Sequence, residues 1–232
     1  MNNTGRMIHP VWRQLWRYSG WLFFGSWLWF LAGCNPPPTV DLPAANLSVK
    51  ITVIDTDANP SDNKVPIVVQ FFQTGTFVRL SSADVACNGV ALAWNGLGYA
   101  ERVPMVAVGG VYHCTHTRAG VTTSVDVTVP PRPVILSPAS GAAVNRSANL
   151  TITYAPDGGT GMRASAGDGS TGLGGNVQAD SGTYSGYDVS SLKAGPGTIG
   201  LTREFTFTPS GTGFASAEIA YSSGSDIAVT WN

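Results

Sequence analysis

Beyond residue 46 the chain alternates apolar and polar positions with a period of two, the repeat of a strand that buries every other side chain. Leu47, Val49, Ile51 and Val53 alternate with Ser48, Lys50 and Thr52, and a second strand is predicted over residues 65–72. Shorter extended pieces follow at 77–80 and 84–87. Asn88-Gly89 then stands between two β-prone runs, and because both residues tolerate positive φ it predicts a type I′ hairpin. A strand over 90–94 leads to a second reversal at Asn95-Gly96. Residues 111–118 pass through Ala119-Gly120 into Val121, Thr123, Val125, Val127 and Val129, another hairpin. Alternation returns at Leu150, Ile152 and Tyr154, at Phe205 and Phe207, at Ala215, Ala217, Ile219 and Tyr221, and at Ile227, Val229 and Trp231. Long helices are not predicted anywhere in this stretch.

Proline sets the divisions. Val129-Pro130-Pro131-Arg132-Pro133 lacks backbone donors at three of five positions and reads as a stiff linker. The expected architecture is all-β: a module over 46–129, a linker over 130–133 and a second module over 134–232. The second module contains a glycine-rich stretch, 158–200, with Tyr184 and Tyr187 near its middle. Two readings of that stretch stand: a mobile loop carrying a binding surface, or a flexible excursion whose tyrosines cover sheet edges. Residues 34–45 are proline-rich and read as an extended tether of about 30 Å at ~3.1 Å per residue.

The first 33 residues are of another kind. Arg6, Arg13 and Arg17 precede any acidic residue, and residues 21–32 are apolar apart from Gly25 and Ser26. The run is about 12 residues, against roughly 20 for a spanning helix, so it reads as a removable signal. Leu31-Ala32-Gly33-Cys34 resembles the lipobox of bacterial lipoproteins position for position. The resemblance implies cleavage before Cys34, diacylglycerol on its thiol and acylation of the new amino group. It therefore implies a lipid-anchored cell-envelope protein, since two or more acyl chains hold stably where one does not. Asn35, where an Asp favours inner-membrane retention in Gram-negative lipoproteins, implies the outer membrane or cell surface.

Removing residues 1–33 takes away three of the 13 basic residues and none of the 14 acidic ones, leaving a formal charge of −4 that does not attract nucleic acid. It also takes five of the seven tryptophans, leaving Trp94 and Trp231. With Cys34 lipidated, Cys87 and Cys114 form an even pair in an oxidising compartment, and a disulfide between them closes a loop of about 27 residues, worth about 3 kcal/mol.

Tyr112 two residues before Cys114, with Trp94 between the cysteines, resembles the Tyr corner and Cys, Trp, Cys core of immunoglobulin domains. The resemblance implies a β-sandwich. The cysteine spacing is too short for the strands that separate that family's bridge, so the strand assignment of the bridge does not carry over. The opening of the second module, Val134-Ile135-Leu136-Ser137-Pro138-Ala139-Ser140-Gly141, resembles bacterial immunoglobulin-like and fibronectin-like repeats.

Candidate chemistry is sparse. Asp55, Asp57, Asn59 and Asp62 have the alternate oxygen ligands of calcium loops, but Pro60 stands where such a loop has glycine and Pro66 where it has glutamate. A self-bonded Asx turn is the competing reading. His113, Cys114 and His116 suggest a metal site, yet on a strand only Cys114 and His116 share a face, and the reading preferred over a metal is a disulfide beside a surface histidine. Nucleophile-elbow, HExxH and phosphate-loop motifs are absent, and no cofactor is implied. The reading that follows is non-enzymatic: immunoglobulin-like modules serving as spacer and adhesive surface for a protein or glycan ligand. One alternative is a carbohydrate-binding module with Trp94, Tyr99, Tyr184 and Tyr187 as stacking aromatics, and another is a calcium-dependent surface assembly subunit.

Overall fold

The computed structural model describes residues 37–57, 63–81 and 83–232. The signal segment, Cys34, Asn59 and Asp62 lie outside the described residues. From the N-terminus the strands are β1 (Thr39–Val40), β2 (Ser48–Ile54), β3 (Lys64–Gln73), β4 (Thr76–Leu80), β5 (Asp84–Cys87), β6 (Val90–Ala91), β7 (Ala93–Trp94), β8 (Tyr99–Pro104), β9 (Val111–Arg118) and β10 (Val121–Thr128). After the prolines come β11 (Ile135–Ser137), β12 (Ala143–Val144), β13 (Leu150–Tyr154), β14 (Gly161–Gly167), β15 (Gly172–Gly174), β16 (Thr183–Tyr187), β17 (Gly195–Phe207) and β18 (Ser216–Trp231). The all-β class expected from the alternation holds.

The expected turns form where their residues allow positive φ. Asn88 and Gly89 sit at φ 48° and 76°, and Ala119 and Gly120 at 49° and 78°. The β5–β6 hairpin then closes at Cys87 opposite Val90, and the β9–β10 hairpin at Arg118 opposite Val121. The strand expected over 90–94 divides at the buried Leu92: β6 stays with β5, while β7 crosses to pair with β8.

Three sheets result. An 11-stranded sheet runs β1-β4-β3-β2-β18-β17-β14-β15, with β8 and β7 joined to β3 and β12 to β18; a four-stranded sheet runs β10-β9-β5-β6, and a three-stranded one β11-β13-β16. The four-stranded sheet covers one part of the large sheet over a core that includes Val49, Ile51, Ile67, Phe71, Tyr112 and Val127. The three-stranded sheet covers another part over Ile152, Tyr154, Met162, Tyr184, Leu201 and Trp231.

The division at 130–133 does not separate these cores. Strands β17 and β18 pair without a break from Gly195 opposite Trp231 to Phe207 opposite Ile219, and the hairpin runs through both cores. Ala217, Ile219, Tyr221 and Phe205 belong to the first core, and Val229, Trp231, Ile199 and Leu201 to the second. All are odd-numbered positions, so one face of the hairpin serves both. The N-terminal half of β18 lies parallel to β2, with Ser216 opposite Ser48 and Ser222 opposite Ile54. Its C-terminal end lies parallel to β12. Residues that follow the linker thus complete the sandwich that precedes it.

Two further expectations are corrected. The stretch 158–200 is not a mobile loop: β14, β15 and β16 lie within it, with Met162, Ala164, Ala166, Tyr184 and Tyr187 buried. The tether is shorter than residues 34–45, because β1 pairs parallel with β4, the Arg79 N–H donates to the Pro38 carbonyl at 2.9 Å, Asp41 pairs with Arg118 and Ala44 is buried. Four residues, Asn35 to Pro38, separate Cys34 from the first strand.

The end of the hairpin is tightly fitted. Trp231 is 1% exposed and its indole N–H donates to the Gly167 carbonyl at 2.9 Å. Gly197, across the sheet, leaves room for that indole, and a Cβ there would overlap it. Gly197→Ala is expected to lower stability by about 2 kcal/mol, as overpacking of a filled site does. Urea unfolding followed by Trp231 emission checks this.

Candidate functional site

The middle of the hairpin is polar where its two ends are apolar. Arg203 on β17 is 1% exposed, and its Nε lies 3.0 Å from Asp180 Oδ2 without hydrogen-bond alignment, so the attraction is one of charge. Arg203 Nη2 donates to the Ala155 carbonyl, and the guanidinium lies 6.0 Å from the Tyr154 ring centre. Asp180 Oδ2 also accepts the Gly159 N–H at 2.7 Å. These contacts fix residues 155–160, where a Cβ on Gly159 would strike the Arg203 side chain.

The proline linker crosses the same region. Pro130, Pro131 and Pro133 have no N–H to donate, so only their carbonyls can bond. Ser223 Oγ donates to the Pro131 carbonyl at 3.2 Å and Ser225 Oγ to the Pro133 carbonyl at 2.6 Å. Between them Arg132 grips Asp55 with two hydrogen bonds, Nη2 to Oδ1 at 2.7 Å and Nε to Oδ2 at 3.1 Å. The Asp55 side chain is 3% exposed, so its charge requires that partner. Tyr221 and Tyr112 stand beside the pair, and burial, followed by the Asp55 charge, pushes the Tyr221 hydroxyl above its ordinary pKa. Both Asp55 oxygens are engaged by Arg132, and Asn59 and Asp62 of the candidate calcium loop lie outside the described residues.

Beside this latch an open groove of about 460 Å³ runs between Val108, Pro130 and Pro131 on one side and Asp157, Phe205 and Phe207 on the other. Phe205 is buried; Phe207, 39% exposed, stacks on it at 5.8 Å and 10°. The groove is apolar with one carboxylate at its rim, and its walls come from both sides of the linker. It was not foreseen from the sequence, although Phe205 and Phe207 on one strand face were the visible sign of it.

The other predicted positions fall as follows. Cys87 and Cys114 form a disulfide and are direct neighbours on β5 and β9, with Cα atoms 4.1 Å apart, so the bridge lies within one sheet. Tyr112 is fully buried and its hydroxyl accepts the Val106 N–H at 3.0 Å, a bond of the Tyr-corner kind. Trp94 is half-buried at the margin of the first core, 5.3 Å from the Tyr99 ring and stacked on Phe77 at 5.6 Å and 22°. The carbohydrate-stacking set is not presented as a surface. Tyr99, Tyr184 and Tyr187 are 7%, 1% and 7% exposed, and their hydroxyls are spent on the Leu80, Asn176 and Leu173 carbonyls. Of the four, Trp94 alone reaches solvent.

The strand sets His113 on one face and Cys114 and His116 on the other, as expected. His113, exposed, pairs across the strands with Asp126 at 2.6 Å. His116 is no surface residue: it is 2% exposed, packed between Phe71 and Phe214 at ring distances of 5.5 and 5.9 Å, and neither ring nitrogen has a partner. With Cys114 oxidised and His113 on the far face, the three do not converge.

No family model and no curated protein matches the chain. Among solved structures it is similar to part of a 1.5-MDa bacterial ice-binding adhesin studied for host cell surface retention, at 16% identity over 83% of this chain and 67% of that one, with TM-score 0.26. It is also similar to the Bacteroides ovatus mixed-linkage glucan utilization locus protein SGBP-B, at 11% identity over 87% and 69%, TM-score 0.27, and to titin A168169, at 12% over 82% and 98%, TM-score 0.23. At these values the likeness goes no further than strand-rich architecture and says nothing of a ligand.

Burial, with a smaller contribution from Arg118, lowers the His116 pKa below its usual range. The unfolded chain, with a pKa near ~6.5, then binds a proton that the folded chain does not. The contribution is complete above about pH 6.5 and is lost as pH falls toward the folded pKa, by at most about 1.4 kcal/mol per pH unit. Stability measured from pH 7.5 to 5 is expected to fall more steeply in the wild type than in His116→Leu.

Proposed function

We propose that this chain is a lipid-anchored protein of the bacterial cell envelope, in which a stiff β-sandwich body holds a binding surface away from its anchor. The anchor is the lipobox cysteine, Cys34, and the acyl chains the resemblance assigns to it. The observation that carries the reading is the unbroken β17–β18 pairing through both cores. A body built on one hairpin, with its proline linker latched by Asp55, Ser223 and Ser225, has no hinge where two separate modules would have one. Stiffness of this kind suits a spacer.

The groove beside the latch is the binding surface. Its Phe205–Phe207 stack offers an anchor pocket for an apolar side chain, and Asp157 offers a carboxylate to a neighbouring basic group. Because the linker and residues 155–160 are already fixed, little ordering is needed on binding. The occupant this chemistry fits is an exposed protein segment with an apolar residue next to a lysine or arginine.

Two measurements test the reading separately. Intact mass of the exported protein is expected to show a chain beginning at Cys34 and carrying acyl groups; a chain beginning elsewhere, or unacylated, ends the anchoring claim. Retention of the purified protein on intact cell surfaces is expected to drop about tenfold in Phe207→Asp, equivalent to ~1.4 kcal/mol. Unchanged retention in a variant that melts like the wild type removes the groove from consideration.

A further inference from the structure

At the end of the first sandwich opposite the linker, aromatic side chains lie on the outer face of the large sheet. Phe72 and Phe77 are cross-strand partners on β3 and β4, alternating with the buried Phe71 and Val78, and their rings are 5.7 Å apart. Trp94, at the sheet margin, packs partly on the first core against Tyr99 at 5.3 Å and also stacks on Phe77, with the Arg79 guanidinium 5.5 Å from its ring centre. The turn after Trp94 is rigid: the Asn95 N–H donates to the Gly98 carbonyl, the Leu97 N–H to Asn95 Oδ1, and Gln70 Nε2 to the Leu97 carbonyl. It holds Leu97 outward at 63% exposure. The result is a fixed patch of half-buried aromatic rings, one projecting leucine and one arginine.

The N-terminus approaches the same end. Strand β1 is parallel to β4 with Thr39 opposite Arg79, so the register carried back two residues sets Pro37 level with Phe77, toward the β3–β4 turn. Five Cα steps from Cys34 to Thr39 reach at most about 17 Å fully extended. With the thiol of Cys34 joined to diacylglycerol at the level of the lipid head groups, Thr39, opposite Arg79 of the patch, is held within that reach of them. Tryptophan and phenylalanine favour this zone, and arginine extends past them to the phosphates.

We propose that Phe72, Phe77, Trp94 and Leu97, with Arg79, form a docking surface for the phospholipid head-group region of the membrane that holds Cys34, so that the body stands on the bilayer by this end. The proposal rests on the anchoring reading, and its test separates the two. Among the tryptophans of the mature chain Trp94 is half-buried at the patch and Trp231 is buried in the second core, so the difference between wild type and Trp94→Phe isolates the Trp94 emission.

Acylated mature protein is reconstituted into phosphatidylcholine and phosphatidylglycerol vesicles with and without bromine on the upper acyl-chain carbons. The expected result is co-flotation with vesicles and roughly a twofold loss of Trp94 emission in the brominated ones, as for an interfacial tryptophan. Leu97→Asp, at an exposed position, is expected to relieve the quenching while flotation persists. Co-flotation with Trp94 emission indifferent to bromine overturns the docking surface and leaves the anchor standing. Trp94 emission that instead changes with protein concentration assigns the patch to a second copy and overturns it too. Failure to float overturns the anchoring reading and this inference together.

Discussion

One pairing determines the rest: β17 against β18, thirteen residue pairs in continuous register. Its inward face reads apolar, polar, apolar, with Ile199 and Leu201 at one end, Arg203 and Ser223 in the middle, and Phe205, Ile219 and Tyr221 at the other. Each apolar end is covered by its own smaller sheet. The polar middle is where neither sheet reaches, and there burial is tolerable only because every charge has a partner: Arg203 with Asp180, and Asp55 with Arg132. Breaking either pair leaves a buried charge without its partner, so these residues hold the body in one arrangement more than they add to its stability.

The prolines of the linker follow from the same geometry. A strand laid against the hairpin at this point would need a partner for each of its N–H groups, and the serines of β18 offer hydroxyl donors. Three prolines in a row of four remove the donors that would have gone unmatched, and the carbonyls that remain are those the serines reach. Composition that reads as a flexible break between domains is, in this setting, the composition of a segment pressed onto a surface. Rigidity here comes from satisfied carbonyls and one buried ion pair, without a regular ladder.

Much of the fold was legible because burial on one face imposes a period of two, and because Asn88-Gly89 and Ala119-Gly120 provide the φ values a tight hairpin needs. What was not legible is non-local. Alternation identifies a strand but not its neighbour, and β18 finds β2 from 168 residues away. The stretch 158–200 looked too thin to fold since Ala164 and Ala166 are small, yet Tyr184 and Tyr187 supply the missing volume, and Gly175 is needed where the Tyr184 hydroxyl passes. The tyrosines were correctly singled out and wrongly placed on the surface. The alternation puts His116 on the face of Cys114 but carries no sign of what covers that face; Phe214, from the hairpin tip, closes over it. The disulfide needed only parity, and parity sufficed.

Short tethering and internal stiffness have a joint consequence for binding. A receptor on a long flexible leash samples a wide volume and must surrender that freedom on contact, whereas a body fixed at its foot and unbending at its middle surrenders little. On the proposed anchoring, four residues separate Cys34 from the first strand, and the register sets the groove low on the body: Phe207 lies opposite Ile219, Ile219 opposite Ile51, and Ile51 is three residues along β2 from Ser48, the partner of Phe72. Three residues at ~3.4 Å each place Phe207 roughly 10 Å along the strands from the end that carries Phe72. Under that proposal the partner of the groove must approach close to the membrane, and the strand register that forms the core also sets the distance at which the protein meets what it binds.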